Sequence, residues 1–308
     1  MKISIVSPVY GASSLLRELV SQIETTVSKI TSDYEIILVE DKSPDDSREI
    51  IRQICKTNKH VIGAFHSRNF GQQYAIHSGF TLATGDYIIT MDCDLQDTPA
   101  LIQDLYDKSQ EGYDIVFASR QNRRDGFIKK LGSKGFNLLL GYLTETVQDE
   151  TIANFVLYKK KAVDAMLSMG DYRRYYPLMN HWVGFETCKL PIPHAERVDG
   201  KASSYSIRKR IELALNTAVA FSTKPLRLII YMGAILSIFA MIVAIILVLK
   251  YLLGSLIVSG WMTLFVSIWF VSGLMMMSIG ITAIYIGIIF EQTKNRPTTL
   301  ISEILNRD

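Results

Sequence analysis

Between Leu228 and Phe290 the chain carries one charged residue, Lys250, although 33 Lys and Arg and 30 Asp and Glu occur over its 308 residues. Such a run excludes a purely water-soluble protein, whose surface helices need a polar face. The 22 uncharged residues Leu228–Leu249 would span ~33 Å as a helix, the thickness of a bilayer's hydrocarbon core. After Lys250, the small residues Gly254, Ser255, Ser259 and Gly260 predict a turn, and Trp261–Phe290 predicts a long, tilted second span. The expectation is a membrane hairpin over 225–290, with spans at about 228–249 and 261–290. Arg208, Lys209, Arg210, Lys224 and Arg227 precede it, and Lys294 and Arg296 follow it. The positive-inside rule then places both termini, and the body before the hairpin, on the cytoplasmic side. A stretch at 205–224, with Ile207, Ile211, Leu215, Ala218 and Phe221 on one face, predicts an amphipathic juxtamembrane helix. Residues 291–308 read as a cytoplasmic tail.

Outside the hairpin about a quarter of the residues are charged, the usual share for a globular domain. Cys55, Cys93 and Cys188 are far apart, which excludes a disulfide scaffold and a Cys-based zinc site and suits a reducing compartment. A net charge of +3 does not indicate a nucleic-acid partner. The start, MKISIVSPVYG, reads as a strand rather than an export signal.

Over residues 1–120 strand and helix signals alternate: strands at 3–8, 34–39, 61–65, 87–91 and 114–118, helices at 13–30, 44–58 and 72–83. This predicts an α/β domain over 1–204 with a mostly parallel sheet, whose ligands bind beyond the carboxyl ends of the strands. Ser7, Asp41, Arg68, Asp92 and Asp94 all follow apolar runs, so different strands would deliver them to one crevice. In ITMDCDLQD a buried strand runs into Asp92, Cys93 and Asp94. Carboxylates so placed suit Mg²⁺ or Mn²⁺ bound to a nucleotide diphosphate, while Cys93 between them points to the opposite face and packs.

Taken together, SPVYG near the start, VEDKSPDDS at 39–47, HSRNFG at 66–71 and MDCDLQD at 91–97 resemble glycosyltransferase family 2, with its nucleotide-sugar-binding GT-A-type fold. With Arg120, the run FSTKPLRL at 221–228, the two spans and YIGIIFEQTKNRP at 285–297, the pattern resembles the polyprenyl-phosphate glycosyltransferases of that family. The resemblance implies that Pro8 and Tyr10 line the base pocket, and that Asp41 hydrogen-bonds the base or ribose. It also implies that Arg68 supports the donor phosphates, that Asp92 contacts ribose or phosphate, and that Asp94 and Gln96 hold the metal, with Asp92 and Asp94 as the catalytic pair. Arg120 and Lys134, with Arg197 and Lys201 as weaker candidates, would bind the acceptor phosphate.

The activity so implied is inverting transfer of a hexose from a nucleotide sugar, UDP-glucose foremost, to polyprenyl (undecaprenyl) phosphate at a bacterial inner membrane. GDP-mannose or a UDP-amino-sugar is the alternative donor, and a non-catalytic membrane scaffold is the rival role. Family members carry Asn-Glu after the Tyr of the first motif, where this chain has Gly11 and Ala12. Asn154 and Val156 in ETIANFVLY stand where G-F-R or D-F-R is usual. His181 and His194 have no partners at ligand spacing and read as structural or solvated. Gly273, Ser278 and Gly280 would permit helix packing in a homo-oligomer.

Overall fold

A computed structural model describes residues 1–120, 152–192, 224–253 and 260–307. The chain divides into two compact units: Met1–Leu131 with Gln148–Ser204 and Arg296–Asp308, and Gly132–Val147 with Tyr205–Asn295. In the first unit, strands β1 (Ile3–Val9), β2 (Tyr34–Glu40), β3 (Val61–His66) and β4 (Tyr87–Thr90) alternate with helices α1 (Leu16–Val27), α2 (Ser47–Thr57) and α3 (Gln72–Leu82). There follow α4 (Ile102–Gln110), β5 (Ile115–Arg120), β6 (Ile152–Lys159), α5 (Lys160–Ser168), α6 (Tyr176–Trp182), β7 (Thr187–Ile192) and, after the second unit, β8 (Ile301–Leu305).

The eight strands form one sheet in the order β7-β5-β6-β4-β1-β2-β3-β8. β4-β1-β2-β3 are parallel neighbours, whereas β6 runs antiparallel to β4 and β5, and β8 antiparallel to β3. All seven residues of β1 are buried, as expected of a central strand with helices on both faces. Leu16, Leu19, Val20, Ile23 and Val27 give α1 its buried stripe at helical spacing. On the other face α3 lies so close to β1 that a Cβ added at Gly79 would stand 2.2 Å from Val6 Cγ1. Residues 291–308, read from sequence as a tail, contain the edge strand β8, which the five-residue alternation of half-buried and exposed positions fits.

In α3, His77 Nδ1 is 3.0 Å from the Tyr176 hydroxyl. Burial, with the nearby Arg174, pushes its pKa down from 6.5 to about 4. A histidine whose folded pKa lies below its unfolded value stabilises the fold fully above the unfolded value, and that contribution is lost as pH falls from 6.5 toward 4. Partial solvent exposure holds the effect to the order of 1–2 kcal/mol. Denaturant midpoints measured across this window should therefore fall in the parent protein and flatten in His77→Gln. Equal slopes in both proteins would exclude His77 as the source.

The second unit contains α7 (Lys224–Leu252) and α8 (Trp261–Thr293), which touch each other. Both are apolar all round, with Ile230, Ile235, Phe239, Trp269, Met276 and Ile286 exposed. Within α8, Ser267–Thr293 is long and apolar enough to cross a membrane and none of its most apolar window is buried; Ile229–Val243 is a shorter apolar segment of α7. The expected juxtamembrane helix at 205–224 lies, but for Lys224, outside the described residues, as does the basic stretch around Lys129, Lys130 and Lys134.

Candidate active site

The sheet order reverses beside β1, whose neighbours are β2 on one side and β4 on the other. At such a switch point the loops leaving two parallel strands part and open a crevice. Val6 pairs with Thr90, and the Met91 amide donates to Val6 O at 3.1 Å, so Ser7–Tyr10 and Met91–Asp94 leave the sheet side by side. On the other flank the Asp41 amide donates to Val9 O at 3.0 Å, and Glu40 pairs with Phe65, which brings Asp41 and His66 level with Tyr10. Pro8 is buried in β1, while Tyr10, just past its end, is 56% exposed. The Ser7 hydroxyl is buried there without a partner among the described residues.

The two loops at the ends of β1 and β2 hold each other. The Gly11 amide donates to Ser43 Oγ (3.1 Å), the Ala12 amide to Ser47 Oγ (3.3 Å) and the Ser13 amide to Asp45 Oδ2 (2.9 Å). Gly11, at the place of the family's Asn, has φ +67°, a conformation that glycine adopts without steric cost. Its neighbour Ala12 is buried.

Asp92, Asp94 and Gln96 are half-buried on the turn after β4, and Cys93 between the aspartates is buried in the core. Cys93 packs in the core, as expected of the residue between the carboxylates, and burial pushes its thiol up to about 12, which keeps it protonated. Gln72 Nε2 donates to Asp92 Oδ1 at 2.6 Å and Asn154 Nδ2 to Asp92 Oδ2 at 3.2 Å. Two neutral amides thus aim this carboxylate, one on each oxygen. Asp94 Oδ1 accepts the Gln96 amide at 3.1 Å, closing a turn that orients both side chains. Among the described residues no three His, Cys, Asp or Glu side chains gather to hold a metal. An oxygen set of one or two carboxylates and an amide suits Mg²⁺ or Mn²⁺ shared with a diphosphate, so these residues fit such an ion.

Asp41, expected on the base or ribose, is buried and hydrogen-bonds His66 and the loop before α3. Its Oδ1 is 2.8 Å from His66 Nδ1 and accepts the Phe70 amide at 2.8 Å, while Oδ2 accepts the Gly71 amide at 2.7 Å. Burial raises its pKa, but these bonds outweigh burial and hold the carboxyl below the usual range. Arg68 is exposed, with its guanidinium 4.4 Å from the Phe70 ring centroid. Arg120 is the last residue of β5. Lys134, Arg197, Lys201 and His194 lie outside the described residues.

Sequence reasoning passed over Gln72, His66 and the role of Asn154. His66 follows an apolar run at a strand end, the same signal that marked Asp41. Asn154, which holds Asp92, also lines a cavity of about 240 Å³ whose lining includes Gln73, Thr90, Tyr176, Asn180 and His181. Asn180 is 4% exposed and its Oδ1 has no partner among the described residues.

An α/β domain with paired carboxylates at its switch point presents them in the crevice where open sheets of this kind bind ligands. The family model described as glycosyl transferase family 2 matches residues 4–167, just over half of the chain, and the chain belongs to that family. It is therefore a glycosyltransferase. Among solved structures it is similar to glucosyl-3-phosphoglycerate synthase from Mycobacterium tuberculosis in complex with Mn²⁺, UDP and phosphoglyceric acid. That match has 14% identity and a TM-score of 0.51, and covers 71% of this chain and 76% of the other. The complex of that enzyme with Mn²⁺, UDP-glucose and phosphoglyceric acid matches with 13% identity and a TM-score of 0.51, covering 71% and 78%. At these identities the similarity is one of fold.

Proposed function

We propose that this protein transfers a hexose, with inversion, from a nucleotide sugar to a polyprenyl phosphate at the cytoplasmic face of a membrane. The observation that carries the reading is the turn holding Asp92, Asp94 and Gln96 at the switch point of a family-2 domain whose chain continues into long, largely apolar, exposed helices. Helices of that composition call for a bilayer, and a catalytic chain held there has reason to use an acceptor whose tail never leaves it. We read α7 and α8 as two spans, with Lys224, Arg227, Lys294 and Arg296 on the cytoplasmic side.

A phosphate monoester has a second pKa near 6, so near neutrality it is largely a dianion and needs no general base. One of its oxygens forms a bond to the anomeric carbon as the bond from that carbon to the diphosphate oxygen breaks, and the nucleoside diphosphate departs with the electron pair. Attack opposite the leaving group converts an α-linked donor into a β-linked lipid phosphate. Tyr10 would stack on the base, and Asp92 would meet the ribose or first phosphate, held in aim by Gln72 and Asn154. Asp94 and Gln96 would hold Mg²⁺ or Mn²⁺, which when bound neutralises charge on the leaving diphosphate. Arg120, Lys134, Arg197 and Lys201 are the candidates for the acceptor phosphate, where Arg supplies a bidentate fork and Lys a point charge. The cavity lining contains no Asp, Glu, Lys or Arg among the described residues, which suits a neutral hexose and disfavours a uronic acid.

The test is a transfer assay on detergent-solubilised protein with Mn²⁺, with and without undecaprenyl phosphate, over UDP-glucose, a UDP-amino-sugar, GDP-mannose and UDP-glucuronate. Release of nucleoside diphosphate that requires both lipid phosphate and metal, with a neutral sugar preferred, is the expected result. Lipid-independent turnover on 3-phosphoglycerate would overturn the acceptor. Silence with every donor, together with no nucleotide binding, would favour a scaffold.

A further inference from the structure

The aspartate at the head of the D-x-D turn is linked by an unbroken series of contacts to the last residues of the chain. Gln72, which holds Asp92, opens α3 directly after Gly71. The amides of Phe70 and Gly71 are fixed by Asp41, and Asp41 is bonded to His66. The other ring nitrogen of His66, Nε2, lies 2.8 Å from Ser78 Oγ, and Ser78 Oγ lies 3.0 Å from Thr299 Oγ1. His66 is 0%, Ser78 2% and Asp41 3% exposed, so the middle of the series, from Asp41 through His66 to Ser78, is shielded from water, while Gln72 at one end is exposed and Thr299 at the other half-buried.

Thr299 is itself held. It precedes Leu300, whose carbonyl accepts the Ser67 amide at 3.0 Å, and Ser302 Oγ donates to Phe65 O at 2.9 Å. Further along, Arg52 pairs with Glu303 at 2.7 Å, and Asn306 Nδ2 donates to three carbonyls, those of Cys55, Asn58 and Val61. These anchors dock the segment on β3 without need of Thr299. Anchoring alone therefore does not explain a threonine hydroxyl directed at Ser78.

We infer that Thr299, Ser78 and His66 are positioning residues for the donor site: the segment following α8 completes a buried relay through Asp41 and the Phe70–Gly71 loop that sets the aim of Gln72 on Asp92. Neither oxygen of Asp41 can move without breaking a bond to the loop, and the imidazole can keep its tilt only while Ser78 holds Nε2. Thr299 in turn fixes the rotamer of Ser78, which on an exposed helix face would be free to turn. This inference rests on the donor reading above, and its test is chosen to separate the two.

UDP binding in the presence of Mn²⁺ is measured by calorimetry on the full-length protein, alongside its melting temperature. Thr299→Val, which keeps the shape and removes the hydroxyl, should weaken UDP–Mn²⁺ binding about tenfold, the lower end of what supporting partners of ligand-binding carboxylates contribute. Thr299→Ser should restore it to within about twofold. Ser302→Ala removes a hydrogen bond of the same segment outside the relay, so it should lower the melting temperature and leave binding unchanged. Ser78→Ala should weaken binding like Thr299→Val, and the double variant should lose no more than either single one, because both cut one series. Unchanged binding in Thr299→Val, equal losses in Ser302→Ala, or additive losses in the double variant would each overturn the relay. A parent protein that binds no UDP with Mn²⁺ would overturn the donor reading, and the relay with it.

Discussion

Asp94→Asn is expected to lower sugar transfer about a hundredfold or more while leaving the protein folded. The described contact of Asp94 is the Gln96 amide donating to Oδ1, a bond that an asparagine carbonyl oxygen accepts equally well. What the substitution removes is the negative charge and one oxygen ligand, and an Mg²⁺ or Mn²⁺ site with few protein ligands tolerates neither loss. Raising Mn²⁺ should recover part of the rate if the defect is metal affinity. The measurement is turnover against Mn²⁺ concentration, with the melting temperature as a check on folding. Turnover at the parent's level would remove Asp94 from the metal site.

Asp41→Ala is expected to act on the fold rather than on one contact. The carboxylate is buried, carries three described bonds, and has a lowered pKa because those bonds outweigh its burial. Cutting it to a methyl leaves the Phe70 and Gly71 amides and the His66 ring nitrogen without their acceptor. Truncating one partner of a buried, charged hydrogen-bonded group costs about 3–5 kcal/mol. For a domain near 200 residues that is a fall in melting temperature of about 10 °C. Asp41→Asn keeps an acceptor for two of the three donors and should lose less. Because the folded pKa lies below the unfolded one, the contribution of Asp41 is present above about pH 4 and fades as pH falls through the folded value, so parent and Asp41→Ala should converge in stability below that range. A variant as stable as the parent at pH 7 would show that the loop closes without Asp41.

The strands β1 to β5 and helices α1 to α3 were legible because each obeys a local period: continuous apolar runs for strands buried on both faces, and a stripe at helical spacing on α1. The placing of polar residues at strand ends was legible for the same reason, since any polar residue after a buried run must emerge at the rim of the sheet. Asp92, Asp94 and Gln96 share one turn, so sequence spacing alone places them together. Asn154 was read only as a departure from a motif, because its partner Asp92 lies 62 residues away and nothing local records that pairing.

The near-absence of charge from Leu228 to Phe290, broken by Lys250 alone, the α/β class and the carboxylate turn were determined by the sequence itself, because hydrophobic patterning and residue chemistry act over a few positions. The tertiary structure alone decided that β6 and β8 run against their neighbours, that Asp41 faces His66 and its own loop, and that Thr299 reaches Ser78. Those outcomes depend on which surfaces meet when the core closes. Long-range burial and the requirement that every buried donor find an acceptor select them, and neither quantity exists until the chain has folded.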